Sequence, residues 1–323
     1  MPKLLNTPLT TVLTPQLLRT LDVLPTQHPR GQAHLSAASG LVCLQAHGQA
    51  HCYVVADDKH HLGHFIADDA APVDLMRLLP GDLPEDQKQR KRLKPDLECL
   101  GVLPAMAGYP QGALLMLGSG SKEARHTGLL LPLNAHGLVR SEDRAALRID
   151  LTALYSPLHA AFDDLNIEGC FLQGEHVHLL QRGNKGDGGS ACIRFDTTQF
   201  LAWLLGEQAF APKPVHILKL DLGDAQGIPL TPTDGIALPD GRWLLSAAAE
   251  NTDNSFTDGP CAGSAMALLD AQGKLLALHT LQGAPKVEGI ALCQQGDQLS
   301  VLMVTDADDP ALASQLLSID AFW

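Results

Sequence analysis

Short apolar runs separated by turn-forming clusters dominate this chain, and an apolar period of 3.6 residues is rare. Five stretches repeat one pattern, in which a small or acidic residue, usually with glycine next, opens an apolar run. They are Ser39-Gly40-Leu41-Val42, Glu98-Cys99-Leu100-Gly101, Glu168-Gly169-Cys170-Phe171, Asp234-Gly235-Ile236-Ala237 and Glu288-Gly289-Ile290-Ala291. The intervals of 59, 70, 66 and 54 residues between them are blade-sized, somewhat above the roughly 40–50 residues of common propeller repeats. A second strand-like run follows each anchor, at 51–55, 113–117, 177–180, 242–245 and 299–304, across turns such as Pro239-Asp240-Gly241. Third and fourth runs, for example 264–269 and 274–281, bring the unit to four strands, which defines a propeller blade. The pattern predicts an all-β, five-bladed β-propeller of four-stranded antiparallel blades. It is read as a single domain over residues 1–323, with blades starting near 39, 98, 168, 234 and 288.

Only two strands and part of a third remain after Glu288, while a run at about residues 4–23 has no blade of its own. That N-terminal strand is expected to complete the last blade and close the ring, removing the exposed edges of an open sheet. Residues 197–207 depart from the strand pattern. Phe200, Leu201, Leu204 and Leu205 follow helical spacing and predict a small helical insertion in the third blade. Residues 83–94 lack a period of two and read as a connection, whose five basic residues (Lys88, Arg90, Lys91, Arg92, Lys94) form a solvated face.

Composition narrows the function. The 323 residues are 45% hydrophobic and carry a formal charge of −13, which disfavours nucleic acid and anionic membrane surfaces as partners. The opening twelve residues lack the apolar core of a signal peptide and no run is long enough to span a bilayer, so a cytoplasmic protein is expected. Seven scattered cysteines without a C-x-x-C pair read as reduced thiols.

In a propeller the first strand of each blade lines the central channel, so equivalent positions form a ring about one axis. Ser39, Glu98, Glu168, Asp234 and Glu288 are the expected ring, and four converging carboxylates call for a cation. Ca2+ suits such an oxygen set, with Mg2+ second because it demands a tighter octahedron. The loops after the second strands are all polar and are expected to open on the same face, making a functional mouth. His60-His61-Leu62-Gly63-His64 matches no zinc spacing, the Gly-rich 183–190 segment fits no phosphate-loop pattern, and no G-x-S-x-G elbow is present.

The Ser, Glu, Glu, Asp, Glu order of that ring resembles the axial calcium site of the five-bladed calcium-activated nucleotidases (apyrases), in which Ser, Glu, Glu, Ser and Glu hold Ca2+ near the substrate phosphates. Asp234 stands where that family has Ser. The phrases Arg92-Leu93-Lys94-Pro95-Asp96-Leu97-Glu98, Asp164-Leu165-Asn166-Ile167-Glu168-Gly169, Gln181-Arg182-Gly183-Asn184 and Val304-Thr305-Asp306-Ala307-Asp308-Asp309-Pro310 are similar to an uncharacterised bacterial propeller family related to the "esterase-like activity of phytase" group.

The leading expectation is a Ca2+-dependent hydrolase of a phosphoric ester or anhydride, taking a small anionic molecule. Lys94, Arg182 and Lys286 would neutralise the phosphate, Asn184 would orient it, and Asp58 or Asp306 would act as general base. Four ring carboxylates against one Ca2+ would leave a formal −2, which opposes an anionic substrate unless neighbouring cations compensate. A non-catalytic propeller that binds a ligand or protein around a structural Ca2+ is the alternative, and an ester or lactone hydrolase the third.

Overall fold

The computed structural model describes residues 9–139, 146–183, 189–250, 261–296 and 298–323. Five antiparallel four-stranded sheets stand around one axis. Their innermost strands are Ala38–Ala46, Leu97–Leu103, Ile167–Gln173, Thr231–Ala237 and Val287–Gln295. The fold is the five-bladed propeller that the repeat predicts. The N-terminal run is divided between two blades. Gln16–Thr20 pairs antiparallel with Gln315–Asp320 as the outer strand of blade five, whereas Leu9–Leu13 lies parallel to Leu275–Leu281 as a fifth strand of blade four.

Burial explains why the runs are continuous rather than alternating. Each sheet is covered on both faces by its neighbours, so both sides of a strand must be apolar. In the second strand of blade one, Cys52 and Val54 pack toward blade five while Tyr53 and Val55 pack toward blade two. The core is thus five inter-blade layers and no central one, which leaves the axis free to be polar.

Helix Thr197–Leu204 is the insertion in blade three, started by Asp196, whose carboxylate accepts from the Gln199 amide, and anchored by buried Phe200 and Leu204. Helix Gln87–Leu93 carries the basic connection and buries none of its residues. Among the described residues no helix is long and apolar enough to cross a membrane.

Candidate functional site at the axial mouth

Every innermost strand is bulged, four of the five at the expected ring residue. Glu98 is the extra residue between the pairs Leu97–Gly118 and Cys99–Leu117, Glu168 between Ile167–Gln181 and Gly169–Leu180, and Glu288 between Val287–Thr305 and Gly289–Val304. In blade one the irregularity takes in Ser39 and Gly40. A bulge twists the strand and re-aims one side chain, here toward the channel mouth. The glycines beside the bulges serve close approach of neighbouring strands. A methyl at Gly289 would overlap the Ser39 carbonyl oxygen, and one at Gly169 would lie 2.9 Å from Asp234 Cα.

Blade four shifts this pattern by one residue. Its bulge falls on Thr233, between Pro232–Ala247 and Asp234–Ser246, so Thr233 and not Asp234 is the register equivalent of the ring glutamates. Thr233 Oγ1 donates to the Val287 carbonyl at 2.7 Å and lies 2.8 Å from Ser246 Oγ. Asp234 Oδ2 accepts from the Ile290 amide at 2.9 Å, and burial holds its carboxyl well above the usual range against the opposing backbone N–H groups. Asp234 does not line the mouth, whereas Ser39, Glu98, Glu168 and Glu288 do.

The mouth is a cavity of about 150 Å³ crossed by ion pairs. Lys94 bonds Asp57 and lies 2.6 Å from Asp96, which Arg125 holds from the other side at 2.7 Å. Arg182 contacts Glu250 at 2.9 Å and reaches Glu168 and Glu288 at 3.5 and 3.7 Å. Lys286 meets Asp308, Glu250 and Glu288 at 2.6, 2.9 and 3.1 Å. Burial works against each of these three cations, but the surrounding carboxylates outweigh it and hold them charged. They are counter-ions before they are substrate ligands.

Ten carboxyls and six basic side chains line the cavity, a formal −4, which becomes −2 when Arg30 and Lys59, bound to Asp58 from behind, are included. Four carboxyls of the mouth are held above their usual range: Glu98, Glu168, Asp57 and Asp306. Burial, then Asp96, Glu168 and Asp57, push Glu98 well above the usual carboxylate range, and burial pushes Glu168 up to about 8 even with Arg182 beside it. Glu168 also accepts from Asn166 Nδ2 at 2.5 Å. By contrast Lys94 and Arg125 overcome burial to lower Asp96, and Arg182 and Lys286 do the same for Glu250.

The two carboxylates expected as general bases separate here. Lys59 and Arg30 overcome burial and hold Asp58 down to about 2, so it is a poor base with its oxygens engaged. Burial raises Asp306 well above its usual range, a better setting for proton transfer. Asn184 lies outside the described residues. Asp57, Asp96, Arg125 and Glu250 were not singled out from the sequence. One signal marks Asp96. Asp96, Asn166 and Lys286 each stand two residues before a ring glutamate, just ahead of the inner strand, and the last two touch theirs. Asp96 and Asp308 also share a left-handed backbone, φ 55° at both, a costly conformation that clusters at functional sites.

A family pattern matches residues 90–310, which hold the mouth residues from Arg90 to Pro310 but not those of blade one, Ser39, Asp57 and Asp58 among them. The chain belongs to DUF6910, a family of unknown function. No curated protein matches it. Among solved structures this DUF6910 member is similar to the α-L-arabinofuranosidase PaAbf62A from Podospora anserina in complex with cellotriose, at 13% identity and a TM-score of 0.50, with 98% of each chain covered. It is also similar to the GH62 α-L-arabinofuranosidase catalytic domain of Coprinopsis cinerea, at 10% identity and 0.48, covering 95% of this chain and 96% of that one. At such identities the likeness is one of fold.

Proposed function

We propose that the axial mouth binds Ca2+ and that the protein is a hydrolase-type propeller acting there on a phosphoric ester or anhydride. One observation carries the reading: the mouth is short of two positive charges, and Glu98 and Glu168 at the axis are among the carboxyls whose charge is under-compensated. A divalent cation cancels that deficit, and Mg2+ ranks second to it. The donor set fits a hard ion, since Ser39, Glu98, Glu168 and Glu288 offer oxygen only, and Glu98 makes no hydrogen bond or salt bridge among the described residues. Asp57, Asp96 and Glu98 also place one oxygen each within 4.8 Å of one another, but Lys94 already lies against the first two. When bound, the ion would polarise a phosphoryl oxygen.

The chain's own residues supply the rest. With the ion present the mouth is formally neutral, so a small anionic substrate is no longer repelled. Asp306 is the group to take up a proton from water, and Arg182 and Lys286 keep the glutamates in place. That each of these cations already serves two or three carboxylates favours a second reading, a ligand- or protein-binding propeller with a structural ion.

The experiment is a thermal melt of EDTA-treated protein titrated with Ca2+, Mg2+ and Zn2+, beside Glu168→Gln, followed by chromogenic phosphoester, carboxylester and lactone substrates. A site occupied at a hundredfold excess over Kd stabilises by about 2.7 kcal/mol. A Ca2+-selective rise lost in Glu168→Gln, with phosphoester turnover lost on chelation, is expected. The same rise without turnover on any substrate selects the binding propeller, and no shift with any metal overturns both readings.

A further inference from the structure

Along the same inner strands, away from the acid mouth, carboxyls give way to thiols. Cys43 of blade one and Cys293 of blade five meet at the seam where the ring closes. Close approach of Gly289 to Ser39 sets these two strands side by side, and each cysteine lies four residues beyond that contact, so the two are level. Gln45 Nε2 stands 3.6 Å from each sulfur, and Cys43 packs against the core layer that holds Cys293. Cys43 is partly exposed, and buried Cys293 walls a second cavity of about 360 Å³ rimmed by Arg19, Asp68 and Asp69. Four residues of strand put the pair about 13 Å from the carboxyl ring.

We propose that Cys43 and Cys293 are a redox-reactive pair that closes to a disulfide and ties blade five to blade one. A small disulfide, such as oxidised glutathione, is the oxidant. Cys52 and burial hold the Cys43 thiol up to about 12, so the attacking thiolate is a minor species that grows with pH. That thiolate, on the more exposed of the two cysteines, attacks one sulfur of the oxidant, forms a mixed disulfide and expels one glutathione thiolate. The Cys293 thiolate then attacks the Cys43 sulfur and expels the second. Two protein thiols are oxidised, one small disulfide is reduced to two thiols, and the protons lost by the cysteines end on the released glutathione. At this seam the ring is closed without a covalent tie, by the short strand Gln16–Thr20, by the bridge of Ala37 to Asp306 and by the bonds of Ser314 to Leu35 and Ala38, so a disulfide there adds a new kind of link. The bond would join residues 250 positions apart, a long loop whose closure restricts the unfolded chain.

Two other thiol pairs compete. Cys99 and Cys170 share the layer between blades two and three but are both buried, and Cys52 is the cross-strand partner of Cys43. The test is incubation of the folded full chain with oxidised glutathione, alkylation of remaining thiols, and mass spectrometry of unreduced peptides, on the wild type and on C43S, C293S and C52S. The expected result is a Cys43–Cys293 peptide in the wild type and C52S, with five alkylated cysteines of seven in the wild type and four of six in C52S, and a melting temperature raised by roughly 5 °C that dithiothreitol reverses. A Cys43–Cys52 peptide, or a glutathione adduct on Cys43 that never resolves, overturns the proposal, and the wild-type digest alone decides this if a serine variant fails to fold.

Discussion

Blades three and four carry the same pair of residue types, Glu168-Gly169 and Asp234-Gly235, and put them to opposite uses. In blade three the bulge takes the glutamate itself, which lines the mouth, and the glycine makes room for the backbone of blade four. In blade four the bulge comes one residue earlier, on Thr233. Because side chains alternate along a strand, that single step turns the acid from the mouth into the seam between blades, where it binds the Ile290 amide. Similar letters at similar spacing therefore yield a ligand position in one blade and a structural tie in the next.

The largest effect that can break this comparison lies in the glycines. A methyl at Gly169 meets the Asp234 backbone at 2.9 Å, whereas one at Gly235 meets the side-chain ends of Leu245, Leu180 and Phe171 at 2.6–3.0 Å. Backbone cannot step aside as a leucine tip can, so Gly169→Ala should cost about 3 kcal/mol and Gly235→Ala about 1 kcal/mol. Urea unfolding of the two variants measures this, and equal costs would mean that the inner strands are not held by backbone proximity.

A smaller effect sharpens the register. Thr233→Val keeps shape but leaves the buried Val287 carbonyl without its donor, a loss of about 1–2 kcal/mol, with any Ca2+-induced melting shift intact. Asp234→Asn should likewise leave the Ca2+ response in place. If either variant abolishes it, blade four contributes to the ion after all and the one-residue shift has been misjudged.

The sequence carries the blade count because it depends on repetition, and a misread residue in one repeat does not alter the period. Four ring residues, Ser39, Glu98, Glu168 and Glu288, were legible for the same reason. Asp234 was not, since a bulge is a matter of pairing partners and those lie on another strand. Asp58 was placed in the right loop, but Arg30 and Lys59 decide its chemistry, and Arg30 stands 28 positions away. The division of the N-terminal run between blades four and five has no local signature either, because Leu9–Leu13 pairs with a strand more than 260 positions distant.

The last distinction is one of slope against pH in metal-free protein. Glu168, ordinarily near 4.5, is pushed up to about 8 in the fold by burial, so between these values the folded chain keeps a proton that the unfolded chain has released. The stability this contributes is fully present below about pH 4.5 and is lost as pH rises through 8, with a slope of up to about 1.4 kcal/mol per pH unit. Asp58, held down to about 2 against burial by Lys59 and Arg30, has the opposite sign, and its share is lost only as pH falls from 4 toward 2. Asp234 is also raised by burial and adds to the alkaline limb, so both Glu168→Gln and Asp234→Asn should flatten it. Ca2+ separates the two. An ion at the mouth favours the ionised forms of its ligands Glu168 and Glu98 and leaves the share of Asp234 in place, so the alkaline slope of Asp234→Asn from pH 5 to 8 should shrink further with Ca2+, while that of Glu168→Gln should respond much less. Parallel curves for the wild type and Glu168→Gln in the absence of metal would show that Glu168 titrates normally and that burial does not hold its carboxyl up.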